Sequence, residues 1–103
     1  MKELKGFQKK YLRGLAHKLQ PVVYIGQKGV TDAVCDSLEE ALNSHELIKV
    51  KFIENKEKAV KKEICAQLEL RSHAALAGLI GHVAILYRPH PDTDKRKISL
   101  PQR

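Results

Sequence analysis

The chain has 103 residues, the length of one domain, and combines 43% apolar residues with a formal net charge of +7. No apolar run approaches the ~20 residues that cross a bilayer, and charged residues rather than an apolar leader follow Met1, so a cytoplasmic protein without membrane association is expected. Two cysteines with no CxxC pair argue against zinc-ribbon and thioredoxin chemistry and suit small buried apolar side chains in a reducing compartment.

Leu4, Phe7, Tyr11, Leu15 and Leu19 recur at three- and four-residue steps, which predicts an amphipathic helix over about residues 3–18. Lys2, Lys5, Lys9 and Arg13 fall on the other face, and residues 1–20 hold six bases against Glu3 alone. That stripe is either a solvated outer face or a rail of phosphate contacts. Pro21 ends the helix, because it has no N–H to donate. Val22 to Ile25 is a continuous apolar run, read as a central buried strand. Gly26-Gln27-Lys28-Gly29 follows. Two readings of this loop compete: a tight strand-to-helix turn that needs small residues, or a phosphate clamp like the GxxG loop of KH domains.

Thr31 is a candidate N-cap for a second helix, and Asp32 suits its positive end. Val30, Val34, Leu38, Ala41 and Leu42 form its packing stripe. Residues 31–46 carry five acids and no lysine or arginine, so the outer face of this helix should turn away from any polyanion. Ile48, Val50 and Phe52 alternate with Lys49 and Lys51, the period of a half-buried strand over about Glu46 to Ile53. Asn55 is a candidate cap for a third helix reaching about Leu70, with Val60, Ile64 and Leu68 inward. Leu76–Ile80 and Val83–Tyr87, joined by Gly81-His82, read as a β-hairpin. From Arg88 onward the chain holds three prolines and five bases against two acids, read as an extended tail with little structure of its own. The order is α-β-α-β-α-β-β. It predicts an α/β two-layer sandwich on a four-stranded mixed sheet, the first strands parallel and the last pair antiparallel.

Catalytic sets are missing. The five histidines are scattered, with no HxH, HxxxH or His/Cys spacing for a metal, and no GxSxG, GxGxxG or P-loop occurs. His45 and Glu46 would point to opposite faces of a strand, so they cannot converge on one phosphate. A non-enzymatic protein without metal or cofactor is expected. Tyr24, beside the glycine loop, is the one candidate for stacking on a base, with a buried strand tyrosine the favoured reading. Segregated basic charge points to a polyanionic partner, chiefly nucleic acid or an anionic membrane. The alternative is an adaptor whose basic face meets an acidic protein.

Several strings together resemble the CRM domain family (chloroplast RNA splicing and ribosome maturation), in particular its stand-alone YhbY-like bacterial members. They are Gly14-Leu15-Ala16-His17 with Leu19 and Pro21-Val22-Val23, Ile25 to Thr31 around the loop, His45 to Lys51, Gly81 with Leu86-Tyr87-Arg88-Pro89, and Arg96 to Pro101. The resemblance runs through nearly the whole chain. It implies a fold similar to the C-terminal domain of translation initiation factor three, with an RNA-binding domain over 1–90 and a basic tail over 91–103. It further implies RNA binding without catalysis, on large-subunit ribosomal RNA or its precursor during ribosome assembly; a monomer, with ribosomal proteins as further partners, is the accompanying expectation. By position, the RNA contacts would be Gln27 and Lys28 flanked by Gly26 and Gly29, extended by Lys2, Lys9 and Arg13 on the first helix and by Arg88. The chain departs from the family where a threonine and paired glycines are common before the third strand. Ser72-His73-Ala74-Ala75 stands there, and no RNA contact is carried over to it.

Overall fold

The computed structural model describes residues 3–54 and 57–102. Lys2, and Asn55 with its expected capping role, lie outside the described residues. The elements follow the expected order: α1 (Gly6–Ala16), β1 (Val23–Ile25), α2 (Asp32–Ser44), β2 (Leu47–Phe52), α3 (Lys58–Ser72), β3 (Ala75–Ile80) and β4 (Val83–Tyr87). They build one mixed sheet in the order β1-β2-β4-β3. β1 runs parallel to β2, and β4 lies antiparallel to both β2 and β3.

Pairing parity divides the side chains between two faces. Val23, Ile25, Ile48, Val50, Phe52, Ala84 and Leu86 meet Leu38 and Leu42 of α2 and Ile64, Cys65 and Leu68 of α3 in the main core. Leu47, Ala77, Ile85 and Tyr87 point the other way and pack against Leu4, Leu12 and Ala16. The two-layer expectation therefore describes α2, α3 and the sheet, while α1 adds a partial third layer on the opposite face. The sequence of β4 requires this, since Ala84 to Tyr87 are all buried and a strand apolar on both faces needs cover on both.

Three local expectations change. First, β1 lies at the sheet edge, not its centre. Val23 and Ile25 are buried, but Val22 is 47% and Tyr24 53% exposed. Only the α2–α3 side of a three-residue edge strand is covered, so the apolar run does not mean burial on both faces. Second, α1 packs through Leu12 and Ala16, both fully buried, whereas Tyr11 and Leu15 are each 40% exposed. The small residues Ala77 and Gly78 of β3 let the helix approach closely. A Cβ on Gly78 would come within 2.6 Å of Arg13 Cδ, so Arg13 runs across the strand, and its Nη1 donates to Ala77 O at 3.0 Å. Third, the tail is tied down. It has one 3₁₀ turn, Thr93–Lys95, and Ile98 and Leu100 pack against the α1 cluster. Glu46 Oε1 accepts from the Lys97 and Ile98 N–H groups at 2.6 and 3.0 Å, and Oε2 accepts from His90 N–H at 2.9 Å.

Local chemistry fixes the remaining junctions. Thr31 Oγ1 accepts from Val34 N–H at 3.1 Å, the expected cap of α2. Gly81 takes φ +59° in the two-residue hairpin turn. Lys61 is buried against that turn and donates its Nζ to Gly81 O at 2.6 Å, with His82 Nδ1 at 3.1 Å. Cys65 is buried and Cys35 half-buried, both as free thiols. Burial, with the charge of Glu69, pushes the Cys65 thiol up to about 11 against the opposing pull of Lys61, which leaves it protonated and unreactive at neutral pH.

Candidate nucleic-acid interface

The loop between β1 and α2 is built by a turn. Gly29 N–H donates to Gly26 O at 3.1 Å, which places Gln27 and Lys28 at the tip, where both are exposed. Gly29 takes φ +68°, a left-handed conformation that costs a residue with a Cβ about 1–2 kcal/mol. A Cβ on Gly26 would meet nothing within 4 Å, so at this position the missing side chain leaves open space above the backbone. The turn delivers the chain to the start of α2, where free N–H groups favour negative charge. Gly29→Val is expected to lower unfolding stability by roughly 1–2 kcal/mol in a denaturant titration, while Gly26→Ala leaves it unchanged. Equal losses from the two substitutions would show that the turn does not depend on the left-handed residue.

The remaining candidates do not gather around the loop. The register pairs Ile25 with Phe52 at one end of β2 and Leu47 with Tyr87 at the other. Arg88, opposite Glu46, therefore lies about 20 Å from the loop end of the sheet, at ~3.4 Å per residue. Its guanidinium is already held: Nη1 donates to Glu39 Oε2 at 2.6 Å and Ser72 O at 2.9 Å, and Nη2 to Asn43 Oδ1 at 3.0 Å. Lys9 is half-buried near the Arg88 end, in a cleft with Glu3, Glu69 and His73. Arg13 sits midway, on β3. The stripe of bases expected along α1 is thus partly turned toward the sheet, and of its described members only Lys5, at the N-cap, is exposed.

Acidic charge is placed as expected. Asp36, Glu39 and Glu40 are exposed on α2, and Glu39 is drawn toward Arg88. Asp32 makes a loose surface pair with Arg71 at 3.5 Å. Among the described residues, no three His, Cys, Asp or Glu side chains gather as a metal-binding group, and no helix is long and apolar enough to cross a membrane.

Sequence reasoning named Tyr24 as a candidate stacker but favoured its burial; the structure instead leaves part of the second sheet face open. Tyr24 is exposed there, with its hydroxyl donating to Pro21 O at 3.3 Å. Lys49 Nζ donates to His17 O at 3.4 Å, just past the end of α1. The alternation of β2 placed both lysines on one face, but which strand borders them depends on the strand order.

Comparison with known proteins agrees with this architecture. The profile of the CRS1 / YhbY (CRM) domain matches residues 4–88. A Haemophilus influenzae protein named "RNA-binding protein" is 43% identical over 96 residues, covering 93% of each chain. "Probable RNA-binding protein YqeI" of Bacillus subtilis is 36% identical over 98 residues, covering 95% of this chain and 99% of that one. The solution structure of the hypothetical protein SAV1595 from Staphylococcus aureus superposes with a TM-score of 0.83 at 33% identity, over 95% of this chain and 99% of the other. By sequence motif, sheet order and near full-length similarity, the chain belongs to the CRS1/YhbY (CRM) domain family.

Proposed function

We propose that this protein binds RNA without catalysis, through the Gly26–Gly29 turn and the basic residues of α1, and acts in the cytoplasm on large-subunit ribosomal RNA or its precursor during assembly. The exposed Gly26-Gln27-Lys28-Gly29 turn at the head of α2 supports this most directly. Phosphates can lie against the glycine backbone, Lys28 supplies a mobile positive charge, and the helix end adds a favourable dipole. The names of the relatives point the same way. Arg13 lies midway between the loop end and the Arg88 end and Lys9 near the latter, so a bound strand would follow α1 across the sheet.

The test is fluorescence anisotropy with a labelled fragment of large-subunit ribosomal RNA at several salt concentrations. Lys28→Asp is expected to raise Kd about tenfold and to reduce the salt dependence by about one phosphate contact, with an unchanged thermal melt. Wild-type affinity in that variant would remove the loop from the interface. Co-migration with large-subunit precursors in a sucrose gradient, abolished by ribonuclease, tests the assembly role.

One observation favours a protein contact as a second reading. Tyr11 and Leu15 are exposed on the outer side of α1, beside Phe7, Lys10 and Pro101. A partner retained by the tagged protein after ribonuclease treatment, and lost with Tyr11→Ser, would support it.

A further inference from the structure

α1 covers only part of the second sheet face. Its buried residues Leu12 and Ala16 meet Leu47, Ala77, Ile85 and Tyr87, and the next row of the sheet has no helix above it. That row is fixed by the register: Tyr24 pairs with Lys51, Lys51 with Val83, and Val83 with Ile80. Paired residues project from the same face, so an aromatic ring, an ammonium and two aliphatic side chains stand side by side across all four strands. Tyr24 is 53% and Ile80 59% exposed. Beside the row lies a shallow cleft of about 180 Å³ lined by Arg13, His17, Lys49, Ile80, Val83 and Ile85. Its floor is aliphatic, its rim is cationic, and no carboxylate is among the lining residues.

We infer that this strip is a nucleobase shelf, on which one or two bases of a single-stranded RNA segment stack against Tyr24 and the aliphatic floor while Lys51, Lys49 and Arg13 meet the flanking phosphates. The inference rests on the RNA reading of the loop and adds a second kind of contact to it. Flat apolar rings alternating with negative charges match a surface on which an exposed ring and aliphatic groups alternate with cations. Tyr24 stands two residues before Gly26, about 7 Å along the strand, so a strand whose backbone rests on the turn delivers its neighbouring base to the ring. The Tyr24–Pro21 hydrogen bond tethers the hydroxyl to the backbone and limits the ordering that stacking would otherwise require. A second copy of this chain would bring like charge to the same rim.

The test compares binding of fluorescein-labelled decauridylate to the full-length wild type and to Tyr24→Leu, Tyr24→Phe, Lys51→Gln and Lys28→Asp, each first checked for an unchanged thermal melt. Tyr24→Leu is expected to raise Kd about tenfold with an unchanged salt slope, and Tyr24→Phe to stay within about twofold. Lys51→Gln should reduce the salt slope by about one. On a decamer of abasic sites, wild type and Tyr24→Leu should bind alike. If Tyr24→Leu binds decauridylate as wild type does while Lys28→Asp is weakened, the shelf is wrong and the loop reading stands. If Tyr24→Leu is weakened equally on the abasic decamer, the contact is not to a base and the shelf is wrong. If neither Tyr24→Leu nor Lys28→Asp is weakened, both readings fall.

Discussion

Glu46→Ala is expected to destabilise the protein by on the order of 3 kcal/mol and to lower its melting temperature by roughly 10–20 °C. Glu46 is 8% exposed, and its carboxylate receives three backbone N–H groups, from His90, Lys97 and Ile98. Removing it leaves three amides without their acceptor, and they recover water only if the tail lifts away, which exposes Ile98 and Leu100. Trypsin should therefore cut near Lys95, Arg96 and Lys97 much faster in the variant than in the wild type. An equally resistant tail would show that the apolar contacts hold it without the carboxylate.

The same group makes stability depend on pH. Burial alone pushes the Glu46 carboxyl up, but the amides of His90, Lys97 and Ile98, with the charge of Arg96, outweigh burial and hold it below its ordinary value of 4.5. The folded protein thus binds this proton less tightly than the unfolded chain. Its contribution is complete above about pH 4.5 and fades as pH falls through the lower folded value. The difference in unfolding free energy between wild type and Glu46→Ala should narrow on acidification from neutral pH to pH 3. A constant difference would mean that the carboxylate charge does not hold the tail.

Arg88→Ala is the second large loss, about 2 kcal/mol. One guanidinium joins Glu39 and Asn43 of α2 to Ser72 at the end of α3, so it bolts both helices of the main core to the end of β4. Arg88→Lys should recover little, because a single ammonium cannot reproduce the fork that reaches three acceptors. With its guanidinium so engaged, Arg88→Ala should change RNA affinity, corrected for the folded fraction, less than Lys28→Asp does. The reverse ranking would make Arg88 a principal RNA contact.

Features set by neighbouring residues could be read from the sequence. Gly81-His82 between two apolar runs marks the hairpin turn where it is observed, the alternation around Lys49 and Lys51 marks β2, and Thr31 marks the start of α2. Features set by distant residues could not. Nothing within Val22–Ile25 says that only one strand lies beside it, and so Tyr24 reads as buried. The α1 stripe counts apolar residues without knowing what they meet, and it is the small Ala77 and Gly78, more than sixty residues away, that choose Leu12 and Ala16 over Tyr11 and Leu15. Glu46 reads as an ordinary acid until the chain returns to it from residues 90–98. The candidate site follows the same division: the glycine loop is a local signal, whereas the open strip beside it exists only through the strand order.

The acceptor at Glu46 takes its hydrogen bonds from main-chain amides, not from side chains, of the segment it fastens. Those hydrogen bonds are blind to residue identity between positions 90 and 98, proline apart where an amide must donate, while the charge of Arg96 and the packing of Ile98 add to them. Many of the other side chains in this part of the tail can therefore change without releasing it, and the path of the backbone stays fixed while the surface it presents varies.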